Sequence, residues 1–178
     1  MRLQVGASAP SFEAQDYREQ AFKLAFGRFT LLSVYRYASC PFCNLPANRL
    51  VRATAEWGWD LGLLALFQSP GPQIAAYAGS QEYAFTLLAD PEKKLYAIYG
   101  LEASWVRFLA GFVYRSALFI KAMGRGFLPG KMEGTIHRLP ADFLIDPERK
   151  IIGLHYGRDL ADHMPLNQLG DYLSPTYP

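Results

Sequence analysis

The sequence is poor in cysteine, in net charge and in long uncharged apolar runs. Its 178 residues include only two cysteines, which excludes a disulfide-rich secreted scaffold and disfavours a structural zinc site with four Cys or His ligands. The formal charge of +2 gives no electrostatic case for a nucleic acid partner. The most apolar stretch, 105–123, is interrupted by three basic residues, whereas a membrane-spanning helix needs about 20 residues nearly free of charge.

What the sequence does contain is typical of a globular protein, since 51% of its residues are hydrophobic and 15% are aromatic. No repeat, low-complexity tract or linker-like composition divides the chain, so we expect one domain over 1–178. The first ten residues hold no apolar run of signal-peptide length, which predicts a cytoplasmic protein. We expect no metal, because His137, His155 and His163 lack the usual ligand spacing. We also expect no bound cofactor.

Short apolar runs alternate with helix-forming segments along most of the chain, which predicts an α/β sheet. Strands are expected at 29–37, 60–68 and 85–89, and an antiparallel hairpin at 141–146 and 150–156. Helices are expected at 44–58, 73–78, 90–99 and 161–173.

The two cysteines lie three positions apart in Cys40-Pro41-Phe42-Cys43, where the first predicted strand meets the first predicted helix. A helix N-terminus stabilises thiolate over thiol, so Cys40 should be acidified there. The spacing returns Cys43 to the same helix face, from which it can attack a mixed disulfide formed at Cys40. The alternative is that both are small buried apolar residues without redox chemistry.

The strand, the Cys-Pro-Phe-Cys motif and the helix together resemble a thioredoxin fold, and residues 5–12 (VGASAPSF) are similar to the opening of peroxiredoxins. More narrowly, Tyr35-Arg36 before the motif and residues 138–146 (RLPADFLID) resemble the peroxiredoxin-like branch of the AhpC/TSA family. This resemblance implies a thioredoxin-like fold of the α/β class, with a central mixed β-sheet flanked by helices. The residue pattern of this chain adds an inserted amphipathic helical segment at about 103–135.

The chain also departs from the peroxiredoxin pattern. On the Pro-x-x-x-Thr-x-x-Cys motif, Cys43 takes the peroxidatic position, Cys40 replaces the threonine and Arg36 replaces the proline. Where a peroxiredoxin arginine is expected, the chain has Pro140, which resembles the cis-proline that faces the cysteines in thioredoxins. Loss of the threonine and arginine removes hydrogen bonds that would stabilise a peroxide transition state.

The candidate catalytic residues are therefore Cys40, Cys43 and Pro140. The resemblance implies a cis Leu139–Pro140 bond and a backbone edge beside the disulfide that is free to pair with a substrate chain. Arg36, Ser39 and Pro41 are possible supporting residues.

Each supporting residue has two interpretations. Arg36 either lowers the pKa of the Cys40 thiol by its charge or extends from the strand to solvent. Ser39 either donates a hydrogen bond to the thiolate or caps the helix, and Pro41 suits the first helical position. His137 is a proton-shuttle candidate or a surface group, whereas His163 is expected to be structural.

These residues indicate a thiol-disulfide oxidoreductase in which Cys40 attacks a substrate disulfide and Cys43 resolves the mixed disulfide. Its partners would be a disulfide-containing protein or small molecule and an external thiol reductant. The first alternative is a thiol-dependent peroxidase with Cys43 peroxidatic and Cys40 resolving. The second is a non-catalytic binding protein on the same fold.

Residues 105–123 place most of their large apolar side chains on one helical face, with Arg107, Lys121 and Arg125 opposite and a break near 124–130. Three interpretations remain open. The apolar face packs on the sheet or covers the edge of the active site, it lies on a lipid surface as a basic interfacial helix, or it forms a substrate-selecting lid or a homodimer interface.

Overall fold

The computed structural model describes residues 2–57, 60–77, 85–126 and 130–173. These residues form seven strands and six helices. In chain order the elements are β1 (Glu13–Asp16), β2 (Ala21–Lys23), β3 (Thr30–Val34), α1 (Pro41–Trp57), β4 (Gly62–Phe67), α2 (Gly71–Tyr77), β5 (Thr86–Ala89), α3 (Lys94–Ile98), α4 (Trp105–Tyr114), α5 (Ser116–Met123), β6 (Ala141–Ile145), β7 (Ile151–Tyr156) and α6 (Leu166–Leu173).

The strands form one mixed sheet in the order β2-β1-β5-β4-β3-β6-β7. β3 pairs in parallel with β4, and β4 with β5, whereas β6 runs antiparallel to both β3 and β7. Every residue of β3, β4 and β6 is buried, because helices cover both faces of these central strands. The predicted mixed α/β sheet is confirmed.

Alternate residues of the central strands supply two separate cores. Leu31 and Tyr35 pack on one face with α1 residues such as Leu50, whereas Leu32 packs on the other face with the α3 residue Tyr96. The first core includes both cysteines. The Cys-x-x-Cys motif is thus part of the packed interior between the sheet and α1.

Several element boundaries differ from the sequence-based prediction, and the β1–β2 hairpin was missed because both strands are short and half exposed. β3 ends at Val34 rather than at residue 37. α3 begins at Lys94 rather than near residue 90, because the Asp90 carboxylate accepts the N–H groups of Lys94, Leu95 and Tyr96. α6 begins only at Leu166, after Pro165.

Other boundaries lie close to prediction. α1, β5 and the β6–β7 hairpin match their predicted segments to within a few residues. The predicted ends of two helices, at residues 58 and 78, lie outside the described residues.

The predicted helix over 105–123 is two helices, α4 and α5. They meet at Arg115, whose guanidinium donates two hydrogen bonds to Asp159. α5 ends at Met123, with Gly124 as its C-cap, which agrees with the break predicted near 124–130. Residues 127–129 lie outside the described residues. Within the described part of the chain, no helix combines the length and apolar character needed to cross a membrane.

Candidate active site

The two cysteines lie at the start of α1, directly after the chain leaves the carboxyl end of β3. Cys40 precedes the first helical residue, Pro41, whose missing N–H costs no hydrogen bond at this position. The Cys40 carbonyl accepts the N–H groups of Cys43 and Asn44 at 3.0 and 3.2 Å, which forms the first turn of the helix. Both thiols are free and buried. The position of Cys40 at the start of α1 is as predicted, whereas burial was expected only in the interpretation without redox chemistry.

The Arg36 guanidinium is the charge closest to the dithiol. Its Nη2 donates a hydrogen bond of 2.8 Å to Cys40 Sγ, and its side chain is only 1% exposed. The rings of Tyr37, Phe42 and Phe108 lie within 6 Å of its Cζ atom. A buried cation enclosed by aromatic rings needs an anion, and the Cys40 thiolate is the anion available in this part of the described chain. The alternative in which Arg36 extends to solvent is wrong.

The site makes the two thiols unequal in acidity. Burial alone would raise the pKa of Cys40, but hydrogen bonds from the Cys43 thiol and Arg36, together with the Arg36 charge, lower it to about 6. Burial raises the pKa of Cys43 well above its ordinary value, and the neighbouring Cys40 thiolate raises it further. At neutral pH the pair is one thiolate, on Cys40, and one thiol, on Cys43.

Two neighbours fix the loop that carries Cys40. The Ser39 hydroxyl donates to the Lys131 carbonyl at 2.7 Å, so its one proton is not available to the Cys40 thiolate. The Asn44 side chain donates to the Ala38 carbonyl at 3.0 Å. Sequence reasoning did not assign Asn44 a role, because its partner is a backbone carbonyl that no side-chain pattern reveals.

The arrangement predicted around Pro140 is wrong in two respects. The Leu139–Pro140 bond is trans, as are all described peptide bonds. The backbone edge is also occupied, since the Leu139 N–H donates to the Glu102 carbonyl and the Pro140 carbonyl accepts the Gly157 N–H. The physical reason is that residues 102–104 pair with residues 137–139, so the chain fills the edge that a substrate was expected to use.

The inserted helices cover the dithiol. The Phe42 ring, between the two cysteines, lies 6.0 Å from the Phe112 ring of α4 and 5.4 Å from the Phe119 ring of α5. Phe108 faces Arg36. The prediction that this segment covers the edge of the active site is confirmed for these three phenylalanines, and it leaves Cys40 1% exposed.

The contacts described for the candidate His137 and for His163 are with residues other than the cysteines. The His137 ring stacks on Trp105 with centroids 4.3 Å apart. His163 Nδ1 lies 3.1 Å from both carboxylate oxygens of Asp142. Burial alone would raise the pKa of Asp142, but the His163 charge and the hydrogen bonds to the carboxylate lower it overall. The structural role expected of His163 is confirmed.

The chain has a mixed sheet covered by helices on both faces, and a Cys-x-x-Cys motif at the start of the helix that follows the central strand β3. These features define a thioredoxin-fold dithiol protein. The model of the AhpC/TSA family matches residues 5–153. The chain therefore belongs to the AhpC/TSA family, a redox family. Among curated proteins, none matches the chain.

Solved structures with the same fold include both peroxidases and disulfide-exchange proteins. Peroxidoxin BcpB from Mycobacterium tuberculosis is 19% identical over 87% of this chain and 86% of its own, with a TM-score of 0.60. A thiol peroxidase from Chromobacterium violaceum is 14% identical over 97% and 87%, with a TM-score of 0.67. The thioredoxin domain of a thiol-disulfide oxidoreductase from Bacteroides vulgatus is 14% identical over 97% and 99%, with a TM-score of 0.55. At these identities the likeness establishes the fold.

Proposed function

We propose that the chain is a thiol-disulfide oxidoreductase that works through Cys40 and Cys43. The observation that carries this proposal is the placement of Cys40 at the start of α1, within 2.8 Å of the buried Arg36 guanidinium and beside Cys43. Against the effect of burial, hydrogen bonds from Cys43 and the Arg36 charge lower the pKa of Cys40 to about 6, whereas burial raises that of Cys43. Because the thiolate is the attacking species, Cys40 is the nucleophile at neutral pH. Cys43 keeps its proton until the first attack has taken place.

In the first step, Cys40 Sγ attacks one sulfur of a substrate disulfide. The substrate S–S bond breaks, its other sulfur leaves as a thiolate and takes a proton from solvent, and a mixed disulfide forms at Cys40. The negative charge beside Arg36 is thereby lost. The Cys40 thiolate therefore no longer raises the pKa of Cys43, whereas the Arg36 charge still lowers it. The Cys43 thiol thus becomes more acidic in the mixed disulfide.

In the second step, Cys43 loses its proton and attacks Cys40 Sγ. This attack forms the Cys40–Cys43 disulfide and releases the second substrate thiol, so one substrate disulfide becomes two thiols. An external thiol reductant then supplies two electrons and two protons to restore the dithiol. Both steps require the Phe112 and Phe119 rings to move, because they contact Phe42 beside the buried sulfurs.

Reduction of a peroxide is a second candidate function, and Arg36 is the observation that favours it. Its Nε and Nη1 are buried without a hydrogen-bond partner among the described residues, and they would suit a peroxide oxygen beside the thiolate. Attack by Cys40 on a peroxide oxygen would give a Cys40 sulfenic acid and an alcohol or water. The Cys43 thiol would then condense with the sulfenic acid, which forms the Cys40–Cys43 disulfide and releases water. The order of the pKa values opposes Cys43 as the peroxidatic residue.

Rapid mixing of the fully reduced protein separates these functions. Wild type, Cys40→Ser and Cys43→Ser are mixed with one equivalent of an oxidised small-molecule disulfide or of hydrogen peroxide, and tryptophan fluorescence and intact mass are followed. We expect fast disulfide exchange in wild type, a stable mixed disulfide in Cys43→Ser, and no reaction in Cys40→Ser.

Two other outcomes would contradict this proposal. Fast oxidation by peroxide, with a sulfenic acid trapped in Cys43→Ser and slow disulfide exchange, would favour the peroxidase. Inertness of wild type towards both reagents would favour a binding protein on the same fold.

A further inference from the structure

The exposed apolar surface of this protein is concentrated on α4 and α5. Of the eleven large hydrophobic side chains that are exposed in the described residues, nine lie between residues 105 and 132. Eight of these belong to the two helices. Phe112 also contacts Phe42, and at 100° per residue Tyr114 lies on the side of α4 that carries Arg107. We call the other six the outer face: Trp105, Val106, Leu109, Val113, Ile120 and Met123. A concentration of exposed apolar side chains on two neighbouring helices is more than the single scattered residues of an ordinary surface.

The opposite side of α4 is already packed, so the outer face has no place in this chain's own core. Gly111 lies against the loop after β7, where an added Cβ atom would come within 2.9 Å of the Asp159 Cβ. Phe108 points to Arg36. At 100° per residue, Trp105, Val106, Leu109 and Val113 occupy an arc of about 100° on the outer side, which is the width of the apolar face of an amphipathic helix.

The charge of this segment favours an anionic occupant. Residues 103–132 contain five basic residues and no acidic residue, whereas the rest of the chain has thirteen basic and sixteen acidic residues. Arg107 and Arg115 pair with Glu102 and Asp159. The three remaining basic residues make no ion pair within the described residues: Lys121, Arg125 and Lys131.

We propose that the outer face binds the surface of a bilayer that contains anionic lipid. The apolar side chains would enter the boundary between headgroups and acyl chains, with Trp105 at the start of α4 as an aromatic anchor. Lys121, Arg125 and Lys131 would lie near lipid phosphates. A second copy of the chain would instead bring the same positive charge to the contact.

Vesicle binding by the full-length reduced protein tests this proposal. The protein is sedimented with vesicles of phosphatidylcholine alone or of phosphatidylcholine mixed with phosphatidylglycerol. We expect binding to the mixed vesicles and binding weaker by roughly tenfold or more to the neutral ones. Val106→Asp/Val113→Asp and Lys121→Glu/Arg125→Glu should each lower binding to mixed vesicles by a similar factor.

The matched control is Val5→Asp/Ile98→Asp, which changes two exposed apolar residues outside the outer face and should bind as wild type does. Cys40→Ser should also bind normally, since vesicle binding does not depend on the dithiol. Thermal unfolding checks that each variant is folded.

Two results would overturn the proposal. The first is equal binding to neutral and anionic vesicles, or binding that the outer-face variants do not change. The second is a concentration-dependent dimer without vesicles that Val106→Asp/Val113→Asp abolishes, which would assign the outer face to a second copy of the chain.

Discussion

Replacement of Arg36 by methionine should move the titration of Cys40 by about three pH units. The guanidinium supplies both a charge and a 2.8 Å hydrogen bond to Cys40 Sγ, and burial of the thiol opposes ionisation. Without Arg36, only the Cys43 donors still favour the thiolate, so the pKa of Cys40 should rise from about 6 to its ordinary value of 9.0 or above. Methionine fills much of the same space among Tyr37, Phe42 and Phe108, which keeps access to the sulfur similar.

The magnitude at neutral pH follows from two opposing effects. The thiolate fraction of Cys40 should fall from about 90% to about 1%. A thiolate of higher pKa is intrinsically more nucleophilic, by about 20-fold over three units. The alkylation rate at neutral pH should therefore fall about fivefold, whereas above about pH 10 the Arg36→Met variant should react about 20-fold faster than wild type. This crossing of the two pH profiles distinguishes a charge effect from simple loss of structure.

The assay is the pH dependence of thiolate absorbance and of iodoacetamide alkylation. Every protein compared also carries Cys43→Ser, so that Cys40 is the thiol that is measured. Arg107→Met is the matched control, because Arg107 lies on the covering helix α4 but pairs with Glu102 rather than with a cysteine. Its midpoint should not change. A midpoint near pH 6 in Arg36→Met would refute the assignment of Arg36 as the residue that stabilises the thiolate.

Three further predictions follow from other contacts. Cys43→Ala should raise the pKa of Cys40 by about one to two units, because the thiolate loses its thiol donor. The pH dependence of thiolate absorbance measures this shift. Cys43→Ser is the control, because its hydroxyl keeps a donor and the shift should be smaller. Phe119→Ala should speed alkylation of Cys40 severalfold, because it opens the cover over Phe42. In urea unfolding it should lower the free energy of unfolding by less than the ~3–5 kcal/mol typical of a fully buried phenylalanine. An unchanged alkylation rate would argue against a cover. The pKa of Asp142 is depressed by His163, so this carboxylate stabilises the fold above its unfolded pKa of 3.8 and stops doing so as the pH falls through its lower folded pKa. His163→Leu should therefore move acid unfolding, followed by circular dichroism, to higher pH, and no movement would contradict a stabilising pair.

The parts of the site that the sequence predicted are those built from neighbouring residues. The corner between β3 and α1, the acidified Cys40 and the proximity of Arg36 all follow from residues 30–43, where strand and helix geometry fix the side chains. The Pro140 edge was predicted wrongly because its state depends on pairing with residues 102–104, about 35 positions earlier.

Features that depend on residues far along the chain were missed or left open by the sequence. The helix break at Arg115 has no glycine or proline to mark it, and it coincides with an ion pair to Asp159 on a loop far along the chain. The cover over Phe42 was predicted only as one of three interpretations, because an amphipathic pattern gives the direction of a face but not the surface that it meets.

The pairing of Arg36 with the Cys40 thiolate also affects the reduction potential of the dithiol. Oxidation to the disulfide removes the thiolate and leaves Arg36 as a buried cation without an anion, so the pairing stabilises the reduced form only. A pKa near 6 instead of 9 at neutral pH corresponds to about 1.4 kcal/mol, which raises the potential of this two-electron couple by about 30 mV. The same buried contact that makes Cys40 a nucleophile thus makes its disulfide easier for a cellular thiol to reduce.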